Sequence, residues 1–396
     1  MKALHFGGGN IGRGLIGYLL NKTGFEVCFI DANQQLVDSI NDYNNYLVKL
    51  LDEDNTVESI SPVRALHISS QAEVVNEIIE SDIITTSVGV NNLPKIAPII
   101  SKGLLERARL NKGKIDVIAN ENAINATSIL REEIAKNVTD SEMASIQTFV
   151  GFPNSAIDRL SLSGETDEND RGVALVEPYY EWVVNKSEMV NPEILSLKDI
   201  TFVESLKPYI ERKLFMVNMG HATTAYIAFL EGYKTIQSAL KDPIIERFLR
   251  ETLNEVSGYF IQTYNVQISE MTEFIEQTLE RFKNDNISDD IFRVGRAPIR
   301  KLGYNERLVK PLRSNYDLGL SIDNLTLAVA ASLLFDNPDD EESVTLQSFI
   351  QDHGVDEAIS HFTQIENTTI KTKIKNNYDR LNKGSSISTL VSLNER

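Results

Sequence analysis

The chain predicts an α/β fold, a parallel-sheet domain over residues 1–195 followed by a mostly α-helical C-terminal domain over residues 196–396. Two observations carry this. From Lys2 to about Trp182, short β-rich runs alternate with segments of helical apolar spacing, the signature of βαβ units. Beyond the polar stretch "NKSEMVNPEILSLKD", long amphipathic helical patterns take over.

Within the first domain "KALHF", "EVCFID", "DIITTS", "KIDVIAN" and "ASIQTFV" read as strands. Between them "NIGRGLIGYLLN", "SQAEVVNEIIES" and "LPKIAPIISKGLLERARL" have helical spacing. "NYLVKLLDEDNTVESISPVRALHI" suggests an inserted pair or trio of strands, and "GVALVEPYYEWVV" a second sheet-like run. In the second domain "NLTLAVAASLLF" is an apolar helix, and "DEESVTLQSFIQDHG" starts with acidic residues and ends at Gly354. The Ser-rich tail after about residue 384 is expected to be loosely ordered.

Composition restricts the partners. A formal charge of −18 disfavours nucleic acid and anionic membrane surfaces, so an anionic ligand must meet a local basic pocket. The one cysteine, Cys28, excludes an internal disulfide and reads as a core side chain. No run of about 18 apolar residues is present and the N-terminus does not read as a signal peptide, so a cytoplasmic location is expected. His5, His67, His353 and His361 lack metal-ligand spacing, and no metal is expected.

"LHFGGGNIGRG" places Gly7, Gly9 and Gly12 in G-x-G-x-x-G spacing, between a predicted strand and a predicted helix. Such glycines allow a tight turn, close approach of backbone to a pyrophosphate and close helix–strand packing. Asn10 and Ile11 open the helix, whose N-terminal N–H groups suit phosphates. Asp31 ends the next strand about twenty residues on, where a carboxylate can accept hydrogen bonds from a ribose diol. Together these predict a Rossmann-type domain. With Ala32, Asn33 and Gln34 following Asp31, no arginine receives a 2′-phosphate, so NAD is favoured over NADP.

The second constellation is "KLFMVNMGH", an apolar run carrying Lys213, Asn218 and His221. On an α-helix at about 100° per residue, Asn218 stands about 140° from Lys213 with His221 about 80° round, so all three can face one cleft. A buried helix whose lysine snorkels and whose Asn and His bond locally fits the segment equally well. Beside a dinucleotide domain, the chemical reading gains weight. Oxidising an alcohol needs a base for the hydroxyl proton and donors for the developing oxyanion. A buried lysine near positive charge can be that base, and asparagine N–H groups can be the donors.

The pattern Lys-x-x-x-x-Asn-x-x-His resembles that of the polyol-specific long-chain dehydrogenases, the mannitol dehydrogenase family. "NMGHATTAYIAFLEGYKTIQSALKDP", "ANENAINATS", "FPNSAIDRL", "VEPYYEWVV" and "RVGRAPIRKLGYNERLVKPL" extend the resemblance over most of the chain. It implies a metal-independent, NAD-dependent oxidoreductase interconverting D-mannitol 1-phosphate and D-fructose 6-phosphate in a cleft between the two domains. It also implies that Lys213 is the general base and acid, that Asn218 and Asn122 form an oxyanion hole, that Asp158 stands near substrate and lysine, and that His221 contacts substrate. Asp158 could instead pair with Arg159 or another cation. Asn120 departs from the family pattern, where a small residue is expected.

"RVGRAPIRKLGYNERLVKPLR" concentrates basic residues in an acidic chain. A solvated face is one reading and a phosphate site the other, for which Arg293, Arg296, Arg300 and Lys301 are the candidates. Two alternatives stay open: an unphosphorylated polyol or hexuronate oxidoreductase, and a non-catalytic NAD-binding sensor. A monomer or small homo-oligomer is expected.

Overall fold

The computed structural model describes residues 1–166, 172–387 and 389. The chain divides into two units, Met1–Tyr209 and the part from Ile210 onward.

The first unit is built on a six-stranded, wholly parallel sheet. Its strands are β1 (Lys2–Phe6), β2 (Glu26–Asp31), β5 (Val63–His67), β6 (Ile83–Thr86), β7 (Ile115–Ala119) and β8 (Val150–Gly151), in the order β5-β2-β1-β6-β7-β8. Strand order reverses between β1 and β6, so the crevice for a ligand opens at their carboxyl ends, where the glycine loop leaves Phe6. The alternation of β1 and β2 feeds two cores. Ala3, Val27 and Phe29 pack on one face of the sheet, and Leu4, Phe6, Cys28 and Ile30 on the other. Cys28 is thus a core side chain, and burial pushes its thiol up to about 12.

Two small sheets complete this unit. β3 (Tyr46–Leu50) and β4 (Val57–Ile60) form an antiparallel pair that joins β10 (Ser161–Thr166) and β11 (Gly172–Val176) in the order β10-β11-β3-β4. The inserted trio therefore divides, because β5 returns to the parallel sheet. The "GVALVEPYYEWVV" run divides too: β11 enters the four-stranded sheet, whereas β12 (Glu181–Asn185) pairs with β9 (Ser155–Asp158) and β13 (Thr201–Val203). Pairing of β13 with β12 carries the unit past residue 195.

"ASIQTFV" is not a strand. Thr139 and Glu142 form a reciprocal capping box that starts helix Asp140–Gln147, and only Val150 and Gly151 reach the sheet.

The second unit is helical around one apolar core. Helix Asp323–Ser332 is buried from Asn324 onward and packs against helices Met219–Leu230, Pro243–Tyr264 and Thr368–Asn382. Glu341–His353 ends at Gly354, which has φ +83°. Ile387 is buried and its N–H bonds Glu231 at 3.1 Å; residue 388 and residues 390–396 of the Ser-rich tail lie outside the described residues.

Candidate active site

The glycine loop of the first unit has the build its spacing predicts. Gly7 has φ +102°, and its N–H bonds Ile30 O at 2.8 Å. A Cβ at Gly12 would stand 1.9 Å from Gly7 O, so only glycine lets the helix begin there. At Gly9, by contrast, a Cβ would meet no protein atom within 4 Å. The open position is the one a pyrophosphate needs. The segment expected to be plain α-helix carries a π-type turn, Gly12–Gly17, before the α-helical Tyr18–Lys22.

Beneath the loop, buried His5 bridges Thr85 and Ser87 at 2.7 and 2.8 Å, and burial lowers its pKa to about 3, so it is a neutral brace. Asp31 ends β2 beside the glycine loop; its Oδ2 accepts from Gly8 N–H at 2.6 Å and its Oδ1 from Asn33 N–H at 2.8 Å. Asn10 donates to Leu162 O at 2.7 Å, and Ile11 is partly buried against the β1–β2 core.

Three supports went unread in the sequence. Buried Arg13 donates to Gly8 O and Gly172 O, both at 2.8 Å, tying the loop to β11. Arg159 donates to Gly14 O at 2.7 Å and to Glu177 O at 3.0 Å. Glu121 is buried and accepts from Thr86 Oγ1, Val88 N–H and Gly89 N–H at 2.7, 3.0 and 2.7 Å, fixing the turn after β6.

Asn122 is exposed on the loop after β7, one residue past Glu121. Asp158 is buried at the end of β9, next to the engaged Arg159. Asn120 is buried as well, and its Oδ1 accepts from Ser155 Oγ at 2.8 Å, joining β9 to the end of β7.

In the second unit, Lys213 opens a π-type turn, Lys213–Asn218, set between α-helices Lys207–Arg212 and Met219–Leu230. The α-helical angle expected between Lys213 and Asn218 therefore does not apply. An i→i+5 turn takes an extra residue, which brings the fifth residue closer to the face of the first. Phe215, Met216, Val217 and Met219 are buried, whereas Lys213, Asn218 and His221 are partly exposed, so the three polar side chains leave the core.

His221 Nε2 lies 3.0 Å from Asp289 Oδ2, and its ring stacks on Phe282 with centroids 4.8 Å apart. The other oxygen of Asp289 pairs with Arg293. Burial alone would raise the Asp289 pKa; the hydrogen bond from His221 and the charge of Arg293 hold it below its usual value. Asp289 and Phe282 carried no motif, although "DDIFR" places an acid four residues before an arginine.

The basic segment is not uniform. Arg296 and Arg300 are exposed, Arg293 is bound to Asp289, and Lys301 is buried. Lys301 Nζ donates to Val294 O and lies 5.7 Å from the centre of the Tyr226 ring. Burial first, then the charges of Arg307, Arg300 and Arg296, lower its pKa to about 7. Asp340 accepts from Ala297 N–H and Glu342 from Arg300 N–H, both at 2.8 Å, so carboxylates hold the backbone while the Arg296 and Arg300 side chains stay exposed.

Known proteins place this architecture. Residues 1–197 match the model of the mannitol dehydrogenase Rossmann domain, and residues 205–382 that of the mannitol dehydrogenase C-terminal domain. The chain belongs to the mannitol dehydrogenase family. It is an NAD-dependent oxidoreductase, in keeping with its glycine loop and Asp31. Curated relatives include the mannitol-1-phosphate 5-dehydrogenase of Halalkalibacterium halodurans, 43% identical over 92% of this chain and 96% of the relative. That of Clostridium acetobutylicum is 37% identical over 97% of this chain and all of its own length. Among solved structures, a substrate-free D-sorbitol dehydrogenase aligns with TM-score 0.83 at 14% identity, over 98% of this chain and 94% of its own. Pseudomonas fluorescens mannitol 2-dehydrogenase, in a ternary complex with NAD and D-mannitol, aligns with TM-score 0.68 at 17% identity, over 100% of this chain and 94% of its own. At those identities the two structures speak for the fold alone. Among the described residues no helix is long and apolar enough to cross a membrane, and no three His, Cys, Asp or Glu side chains are grouped to hold a metal ion.

Proposed function

We propose that the chain interconverts D-mannitol 1-phosphate and D-fructose 6-phosphate with NAD and NADH in the cytoplasm, without a metal. What carries the substrate choice is the basic segment around Lys301: a buried amine near three arginines in an acidic chain has a use if the substrate brings a phosphate. The names of relatives that align over nearly the whole chain agree with this reading.

In oxidation Lys213 takes the proton from the carbinol hydroxyl as the C–H bond breaks, and in reduction it returns that proton to the carbonyl oxygen. NAD, when bound, supplies the hydride acceptor, and NADH the donor. Asn218 and Asn122 direct side-chain N–H groups at the oxygen on which charge develops, and Asp158 orients substrate and lysine. His221 binds a substrate hydroxyl. Arg293, Arg296, Arg300 and Lys301 receive the phosphate.

An unphosphorylated polyol or a hexuronate would leave the basic segment unused. NADH consumption with fructose 6-phosphate, fructose and fructuronate separates the readings. We expect fructose 6-phosphate to exceed both in kcat/KM by at least about a hundred-fold, as for a site with buried charged groups awaiting a partner. Equal or better rates with fructose or fructuronate would overturn the proposal.

A further inference from the structure

We infer that Asp289 is a positioning residue that sets the tautomer of His221 and the pose of Arg293 together, so that His221 presents a hydrogen-bond acceptor to the substrate. The substrate contact rests on the function proposed above; the tautomer does not.

Asp289 is firmly held. Its side chain is 6% exposed, its N–H donates to Gln237 Oε1 at 3.0 Å, and its C=O accepts from Ile236 N–H at 3.0 Å. Next to it Asp290 Oδ1 accepts from Arg293 N–H at 2.9 Å, so backbone and guanidinium of Arg293 are both anchored by this dipeptide. The carboxylate thus sits fixed with His221 on Oδ2 and Arg293 on Oδ1, and the Gln237 side chain beside it also favours its ionised form.

An ionised carboxylate only accepts, so the His221 nitrogen facing it, Nε2, must carry hydrogen. In the neutral ring, Nδ1 is then a bare lone pair, and stacking on Phe282 at an interplanar angle of 23° fixes the plane in which it points. A lone pair receives a hydroxyl, the group a polyol offers at nearly every carbon. Arg293 keeps the guanidinium N–H groups that Asp289 does not use; its side chain is 48% exposed and can meet an anion.

Asp289→Asn tests this sharply. Arginine cannot accept a hydrogen bond, so the amide introduced by this substitution must turn its oxygen to Arg293 and its NH2 to His221. His221 then has to accept at Nε2 and carry hydrogen on Nδ1, so the substrate hydroxyl must turn from donating to accepting. Long-range ¹H–¹⁵N spectra of the histidine rings, with the His221 signals assigned by their loss in His221→Gln, should show the Nε2–H tautomer in the wild type and the Nδ1–H tautomer in Asp289→Asn. For fructose 6-phosphate kcat/KM should fall roughly ten- to a hundred-fold, with NADH affinity unchanged. In a His221→Gln background the same Asp289→Asn change should cost no more than about two-fold, which a merely structural role would not produce.

A wild-type Nδ1–H tautomer, an unaltered tautomer in Asp289→Asn, or an equal kinetic cost in both backgrounds would each overturn the inference. Should Asp289→Asn not fold, the wild-type spectrum still decides it. Should the wild type fail to reduce fructose 6-phosphate, the functional proposal falls while the tautomer remains decided by the spectra.

Discussion

Lys301 should make the stability of this protein depend on pH in a direction that one substitution removes. Its folded pKa is about 7 against 10.5 for a free side chain, so between these values the native state binds fewer protons than the unfolded chain. Stability then rises with pH across that window, and below it the full cost of the buried charge is felt. A shift from 10.5 to about 7 corresponds to about 5 kcal/mol at the upper limit. Lys301→Met keeps the length and fills the site beside Tyr226 without an ionisable group. We expect the mutant to be more stable than the wild type near pH 7, less the hydrogen bond to Val294 O, worth about 1 kcal/mol. That advantage should shrink steadily toward pH 10. Urea unfolding of both proteins at several pH values measures it. Parallel stability curves across the window would refute the burial argument, because a lysine with an ordinary pKa adds no slope there. The same titration predicts kinetics: as Lys301 loses its proton above pH 7, KM for the sugar phosphate should rise in the wild type.

Three further substitutions test the dinucleotide site. Gly9→Ala meets no protein atom within 4 Å and should leave thermal stability within about 0.5 kcal/mol, yet weaken NADH binding about ten-fold or more by filling the space proposed for pyrophosphate. Gly12→Ala, with its Cβ 1.9 Å from Gly7 O, should instead destabilise the fold by about 3 kcal/mol. Fluorescence titration and thermal melts check both, and undiminished NADH affinity in Gly9→Ala would contradict the assignment. Asp31→Ser should narrow the preference for NAD over NADP, measured as a ratio of kcat/KM values. It should also cost about 2 kcal/mol of stability, because the carboxylate accepts from Gly8 and Asn33 N–H groups.

The parts of the fold legible in the sequence are those fixed by local periodicity. "KALHF" and "EVCFID" coincide with β1 and β2, because alternate residues there enter two different cores. The glycine spacing was readable for a similar reason: Gly7 and Gly12 answer to backbone conformation and contact within one turn. Pairings between distant segments were not. β3 lies beside β11, more than a hundred residues away, and nothing in either run states that register. Helix Asp140–Gln147 was legible in principle, since "TDSE" is a capping box, but Ile, Thr, Phe and Val nearby imitate a strand. The π-type turn at Lys213 has no sequence signature. Asp289 could not be found from sequence either, because its meaning lies in a contact with His221, sixty-eight residues earlier in the chain.

Lys213 carries the proposed chemistry. Lys213→Ala should lose turnover of fructose 6-phosphate by about a thousand-fold or more at pH 7 while NADH titrates with its wild-type affinity, since the lysine handles a proton and the glycine loop holds the cofactor. A mutant that turns over at near the wild-type rate, or one that loses NADH affinity in step with activity, would contradict it.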